Sequence, residues 1–201
     1  MHVESFELMK YFAEKYLDRN KKLRILDIGS CDVNGSYKSI FINDKWEYKG
    51  LDMVPGKNVD IVSKSEYDFG VEEQFDVVVS GNCLEHVEAP WKWIKEVEKV
   101  TKPNGIVCII TPFSIGEHRY PVDCWRILPD GYKFLFEKES SFTLIESKIN
   151  KPDPEIRYRY FQDRPEKRWM LKYLPETIKK RFFAYNYPNP MDTFAIARKI
   201  A

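Results

Sequence analysis

The sequence predicts an α/β protein, a mixed sheet of seven strands with helices on both faces. Three observations carry that expectation. Short apolar runs recur along the chain, LRILDIG at Leu23–Gly29, FDVVVS at Phe75–Ser80 and IVCIIT at Ile106–Thr111, and their length and β-branched content suit strands buried on both faces. Between most of them lie segments whose apolar residues return every three or four positions, the period of a helix packed by one side. Alternation of the two along one chain is what a sheet wound with crossover helices produces.

Taken in order, Ser5–Leu17 reads as a helix, with Phe6, Met9, Ala13, Tyr16 and Leu17 at helical spacing and charges between them. Leu23–Gly29 is the first strand, Tyr48–Asp52 (YKGLD) the second, Val59–Val62 (VDIV) a short third and Phe75–Ser80 the fourth. The three consecutive valines of the fourth favour a pleated position with both faces buried. Ala89–Thr101 returns to helix: Ala89-Pro90 offers a start, and Trp91, Ile94, Val97 and Val100 form one stripe. KPNG at Lys102–Gly105 is turn chemistry, and Ile106–Thr111 is the most apolar strand. Pro129–Lys138 reads as a helix with proline in its first turn, and Phe142–Ile149 and Asp192–Lys199 as the last two strands. A long non-strand insertion separates these two, so they are expected as the antiparallel pair of the mixed sheet.

That insertion, residues 151–190, differs in composition. It holds ten Lys/Arg against five Asp/Glu, no glycine, six of the chain's 12 prolines and nine aromatics. Trp169–Phe183 is expected as an amphipathic helix interrupted near Pro175. A helical cap that buries aromatics on the rim of the sheet is the plainest reading. A lid over a substrate pocket and a basic-aromatic contact with a membrane surface are the alternatives.

The whole chain, 201 residues with 32 Lys/Arg against 31 Asp/Glu and a net charge of +1, suits one domain over residues 1–201 with 151–190 as its cap or lid. No global basic excess points to nucleic acid. No apolar run approaches the roughly 20 residues of a membrane span, and no signal peptide is expected at the N-terminus. The cysteines, Cys31, Cys83, Cys108 and Cys124, form no CxxC pair, and with three histidines there is no zinc-finger spacing. Scattered thiols of this kind fit a reducing, cytoplasmic compartment, and Cys108 is expected in the core.

In open α/β sheets ligands bind beyond the carboxyl ends of the strands, and three such ends carry chemistry. Asp27-Ile28-Gly29-Ser30-Cys31 turns at a glycine that admits a ligand close to the backbone. It lacks the GxGxxG of dinucleotide enzymes, since Cys31 stands where the second glycine would be. Asp52 ends the second strand, where a carboxylate can accept hydrogen bonds from both hydroxyls of a ribose; a solvated loop acid is the plainer alternative. Ser80-Gly81-Asn82-Cys83-Leu84-Glu85-His86-Val87 leaves a central strand through small residues into an Asn, a Glu and a His.

With these residues read, LDIGS, GLD, FDVVVSGNCLEHVEAP and TKPNGIVCIITP together resemble the class I S-adenosylmethionine-dependent methyltransferases. The chain is most similar to the large group in which LEHV follows the fourth strand. The resemblance spans Leu23–Lys148, and the final DTFAIARK fits it. HRYPVDCWRILPDG at His118–Gly131 resembles a further signature of bacterial methyltransferases of glycan or specialised-metabolite pathways. The resemblance implies a Rossmann-like sheet of order 3-2-1-4-5-7-6, S-adenosyl-L-methionine as cofactor, and a small-molecule or glycan acceptor, with a homodimer as an allowed assembly.

Residue roles follow from the same resemblance. Asp27, Gly29, Ser30 and Cys31 would hold the methionine part, helped by Ser80. Asp52 would bind the ribose, Met53 would pack on the adenine, and Ser65, Glu66 and Tyr67 occupy the stretch that contacts the adenine edge. His86 reads as a pocket wall or structural hydrogen bond. Some relatives place a divalent metal here, but Asn82 replaces the acid that arrangement needs, so no metal is expected. His118 is the candidate general base for the acceptor, with a loop histidine bonded to Asp123 as the alternative. Arg119 and Arg126 could clamp an anionic group on the acceptor, and Tyr120 and Trp125 could stack on it. A binding module without catalysis is the rival from another class. A nicotinamide oxidoreductase is disfavoured by the missing GxGxxG. A base-amino methyltransferase is disfavoured because Ser80-Gly81-Asn82-Cys83 lacks [DNS]PP[YFW].

Overall fold

A computed structural model describes residues 3–33, 35–150, 175, 177–178 and 192–201. The expected cap or lid over 151–190, with its Trp169–Phe183 helix, lies outside these apart from residues 175 and 177–178. The described chain runs α1 (Val3–Tyr16), β1 (Leu23–Ile28), β2 (Trp46–Asp52), β3 (Ile61–Val62), β4 (Phe75–Gly81), α2 (Pro90–Val100), β5 (Thr101–Pro112), α3 (Pro129–Glu137), β6 (Phe142–Ile149) and β7 (Asp192–Lys199). Short 3-10 turns occupy Lys38–Phe41 and Leu84–His86.

The seven strands form one sheet of order β3-β2-β1-β4-β5-β7-β6. The first five pair in parallel and β7 lies antiparallel between β5 and β6, as expected for strands parted by an insertion. Ile28 is in register with both Leu51 and Ser80, so the carboxyl ends of β1, β2 and β4 open side by side.

Period-two alternation divides the core between the faces. Ile25, Val77, Val79, Cys108 and Ile110 point to the side covered by α1, with Met9 and Phe12 at its centre. Leu26, Ile28, Val78, Val107 and Ile109 point to the side covered by α2 and α3, against Trp93, Val97, Tyr132 and Phe136. Each such side chain contributes about 1.5–3 kcal/mol by leaving water.

Local readings shift in four places. The buried tryptophan of α2 is Trp93, while Trp91 is 42% exposed; residues three apart drift around a helix, and the packed stripe steps by three and four, through Trp93, Ile94, Val97 and Val100. In α1 the same rule adds Leu8 and Phe12 to Met9 and Ala13 as the buried face. The Lys102–Gly105 turn is a bulge inside β5, where pairing jumps from Phe75↔Thr101 to Val77↔Ile106 and Asn104 takes φ 62°. Helices are also fewer than the alternation suggested. Among the described residues β1 and β2 are joined through a 3-10 turn, and no helix separates β2, β3 and β4.

Candidate active site

The turn after β1 depends on one glycine. Gly29 has φ +79°, and a Cβ there would stand 2.7 Å from the Cβ of Cys83, so side chains are excluded by both conformation and space. This lets the loops after β1 and β4 touch. Gly29 and Ser30 donate their N–H groups to the Leu51 carbonyl at 2.8 and 3.1 Å, which ties the turn to the end of β2. There the Asp52 carboxylate accepts the Cys31 N–H at 3.0 Å and the Val54 N–H at 3.3 Å. Two backbone donors orient the carboxylate while leaving lone pairs on both oxygens.

Asp27 sits at the floor, 2% exposed. The Tyr48 hydroxyl donates to its Oδ2 at 2.6 Å, and the Asn58 amide in turn donates to Tyr48 and to the Ser30 carbonyl. Burial pushes Asp27 up to about 7, the charge of Asp52 adding to the rise and the Tyr48 hydrogen bond opposing it.

Beyond β4 the backbone turns at Gly81, where a Cβ would meet the Tyr37 hydroxyl at 2.2 Å. Tyr37 shares a hydrogen bond with Ser5, and Ser5 accepts the Asn82 amide at 3.3 Å. Asn82 takes φ 54°, a left-handed conformation that asparagine tolerates better than most residues. Glu85 and His86 then lie on the 3-10 turn rather than on a helix, since α2 begins at Pro90.

The segment from His118 to Arg126 is stapled to that turn. Cys124 and Trp125 donate their N–H groups to the Glu85 carbonyl, at 2.8 and 3.2 Å. His86 Nδ1 donates to Val122 O at 2.6 Å, and Trp125 Nε1 donates to Val87 O at 2.9 Å. Asp123 accepts both guanidinium nitrogens of Arg126, at 2.5 and 2.7 Å, and the His118 backbone N–H at 2.7 Å. The Arg126 guanidinium holds the Asp123 carboxyl well below the usual carboxylate range.

These loops enclose a cavity of about 700 Å³. Of the expected cofactor residues, Asp27, Gly29, Ser30, Cys31, Asp52, Met53, Ser65 and Glu66 line it. Tyr67 and Ser80 do not: the Tyr67 hydroxyl accepts the Ala89 N–H, and Ser80 Oγ donates to the Ile28 carbonyl. Of the expected acceptor residues, His86, His118 and Tyr120 line the same cavity. The rings of His86 and His118 lie 5.4 Å apart, and His118 meets Asp123 through its backbone. Arg119, Trp125 and Arg126 stand outside the lining; Arg119 pairs with Glu117 at 2.6 Å and Arg126 with Asp123. Sequence reasoning assigned no role to Tyr37, Asn58 or Glu85. For Glu85 a signal existed, an acid on an apolar turn between Leu84 and Val87; Tyr37 and Asn58 sit in loops without pattern. Among the described residues no cluster of three or more His, Cys, Asp or Glu could hold a metal, and no helix is long and apolar enough to cross a membrane.

A sheet of this order, with a ligand-sized cavity at the carboxyl ends of β1, β2 and β4, is a Rossmann-like α/β architecture. Residues 26–109 match the family described as methyltransferase domain. Norajmaline N-methyltransferase of Rauvolfia serpentina is 27% identical over 141 residues, 62% of this chain and 47% of that protein. The S-adenosylmethionine sensor upstream of mTORC1 of Xenopus tropicalis is 26% identical over 154 residues, 61% of this chain and 37% of that protein. The matches therefore span less than half the length of either curated relative. Among solved structures, the 1,6-didemethyltoxoflavin-N1-methyltransferase of Burkholderia thailandensis, with bound 1,6-didemethyltoxoflavin and S-adenosylhomocysteine, superimposes with a TM-score of 0.64 at 15% identity, covering 98% of this chain and 79% of that one.

Proposed function

We propose that this chain is a cytoplasmic S-adenosyl-L-methionine-dependent methyltransferase that moves a methyl group to an oxygen or nitrogen of a small molecule or glycan precursor. The observation that carries the reading is the pairing of Asp52, oriented by two backbone N–H groups at the end of β2, with the side-chain-free turn at Gly29 and the buried Asp27 beside it. These residues fit the cofactor. Asp27, uncompensated by any cation among its hydrogen-bond partners, suits an ammonium; Asp52 suits two ribose hydroxyls; Met53, 53% exposed, suits an adenine face, with Ser65 and Glu66 at its edge.

When bound, the cofactor supplies a methyl group already activated on a sulfonium, which leaves the protein to align and desolvate the nucleophile. Asp27 to Cys31 and Asp52 bind and orient from one side of the cavity. His86, His118 and Tyr120 line the same cavity and would meet the acceptor. His118, at the mouth, takes the acceptor's proton, directly or through His86. Arg126 and Asp123 hold the loop that carries His118.

Calorimetric titration with S-adenosylhomocysteine, with NADH as control, tests the cofactor class: micromolar binding of the former alone is expected, and binding of NADH alone would refute it. His118→Ala is expected to lower turnover more than cofactor affinity, and a variant at full speed would remove His118 from the reaction. A second reading, cofactor binding without transfer, is favoured by the likeness to a protein named as a sensor. Binding of S-adenosylhomocysteine, no transfer to any acceptor class, and recovery of a protein partner would favour it.

A further inference from the structure

The cavity is chemically one-sided. Asp27, Asp52, Glu66 and Glu85 line it, and no lysine or arginine does so among the described residues. The first three belong to the proposed cofactor half. Glu85 lies on the turn after β4 with Asn82 and with His86, one of the proposed acceptor residues. Glu85 is 2% exposed and its Oε2 has no hydrogen-bond partner. Asn82 gives its amide nitrogen to Ser5, and its Oδ1 also lacks a partner. His86 commits Nδ1–H to the Val122 carbonyl, which leaves Nε2 with a lone pair. Three residues of one turn in the cavity lining therefore carry an acceptor without a donor, and two of these atoms, Glu85 Oε2 and Asn82 Oδ1, are buried. A buried acceptor without a donor is unfavourable, so the complementary ligand brings hydrogen-bond donors, and an ammonium brings two or three together with a charge opposite to the carboxylate.

Building on the methyltransferase reading, we propose that the methyl acceptor is a primary or secondary amine, bound through its N–H groups to Glu85 Oε2 and Asn82 Oδ1. An amine arrives as an ammonium and must lose a proton to expose its lone pair. For an amine the first proton acceptor is Glu85, with His118 relaying the proton outward: burial pushes Glu85 up to about 8, so above that pH it is a carboxylate and a stronger base than a surface one. The nitrogen lone pair forms a bond to the methyl carbon as the carbon–sulfur bond breaks, its electron pair passing to sulfur. The methylated product departs as an ammonium. Glu85 then returns its proton to solvent past His86, whose Nε2 is 3.7 Å from Glu85 Oε1, and past the exposed His118.

The test titrates wild-type protein, first with S-adenosylhomocysteine and then, once saturated, with ethanolamine, glucosamine and phenethylamine against ethylene glycol, glucose, phenethyl alcohol and glucose 6-phosphate. The same compounds are incubated with S-adenosylmethionine, and S-adenosylhomocysteine release is followed by mass spectrometry. At least one amine is expected to bind about tenfold or more tightly than its matched alcohol, and only amines to be methylated. Glu85→Gln, with its fold checked by circular dichroism, is expected to keep S-adenosylhomocysteine affinity and lose that preference. Equal binding of amines and alcohols, transfer to an alcohol or to the phosphate ester, no binding of any amine, or an unchanged preference in Glu85→Gln would each overturn the proposal. The wild-type comparisons stand if the variant does not fold. Absence of S-adenosylhomocysteine binding, read before any acceptor is added, would instead strike the cofactor reading and the proposal with it.

Discussion

Replacing Asp27 by Asn tests the electrostatics of the cavity floor. Burial moves this carboxyl from its ordinary 3.8 to about 7, which corresponds to about 4 kcal/mol of difference between its two protonation states. Below pH 3.8 both folded and unfolded chains hold the proton. Between 3.8 and about 7 the folded chain keeps it while the unfolded chain releases it, so stability from this group falls as pH rises and is fully lost above 7. Asparagine keeps an oxygen for the Tyr48 hydroxyl, which donates to Asp27 Oδ2 at 2.6 Å, and carries no charge to bury. In urea unfolding without ligand, Asp27→Asn is therefore expected to match wild type at acid pH and to exceed it by about 2–4 kcal/mol near pH 8. Glu85, raised in the same sense to about 8, leaves a residual pH dependence in both proteins. Calorimetry should show the reverse for function, with S-adenosylhomocysteine affinity lowered about tenfold or more by loss of a charge-assisted partner. Parallel stability curves across this pH range, or undiminished affinity, would refute the reasoning.

Three further outcomes are expected. Gly29→Ala forces a side chain into φ +79° against Cys83; it should cost about 1–3 kcal/mol in chemical denaturation and abolish S-adenosylhomocysteine binding, whereas a stable, binding-competent variant would remove the turn from the site. Asp52→Ala removes the acceptor held by Cys31 and Val54 N–H, and cofactor affinity should fall about 10- to 100-fold in calorimetry with little change in melting temperature. Arg126→Ala strips Asp123, whose side chain is 2% exposed, of its guanidinium partner and leaves it only the His118 N–H; the 118–126 segment should become sensitive to proteolysis and acceptor KM should rise several-fold while S-adenosylhomocysteine affinity holds.

Much of the sheet was legible because burial writes itself into local pattern. Val77, Val78 and Val79 alternate between the two core faces, and that demand selects the β-branched run visible in the sequence. Gly29 and Asp52 were legible because a sharp turn and a strand-end acid follow from residue type and place. The stripe of α2 was less so, since the choice of Trp93 over Trp91 as the buried ring depends on where β4 and α3 stand. The KPNG turn was read correctly as chemistry, yet its place inside β5 is decided by pairing with Phe75 and Val77.

Residue type and spacing along the chain set the kind of elements, their order and the strand ends that line the cavity, because these depend on the side-chain period and on glycine and proline geometry over a few neighbouring residues. Which of those residues meet depends on how distant segments pack. Strands β1 and β4 are adjacent though their paired residues lie 52 apart in sequence, so Gly29 abuts Cys83 and Ser80 bonds Ile28. The same packing turns Arg126 away from the cavity toward Asp123, and leaves Glu85 buried in the lining with a free oxygen. A charge or an orphaned acceptor acquires its chemical meaning from the dielectric and the partners around it, and strand order and loop packing supply both.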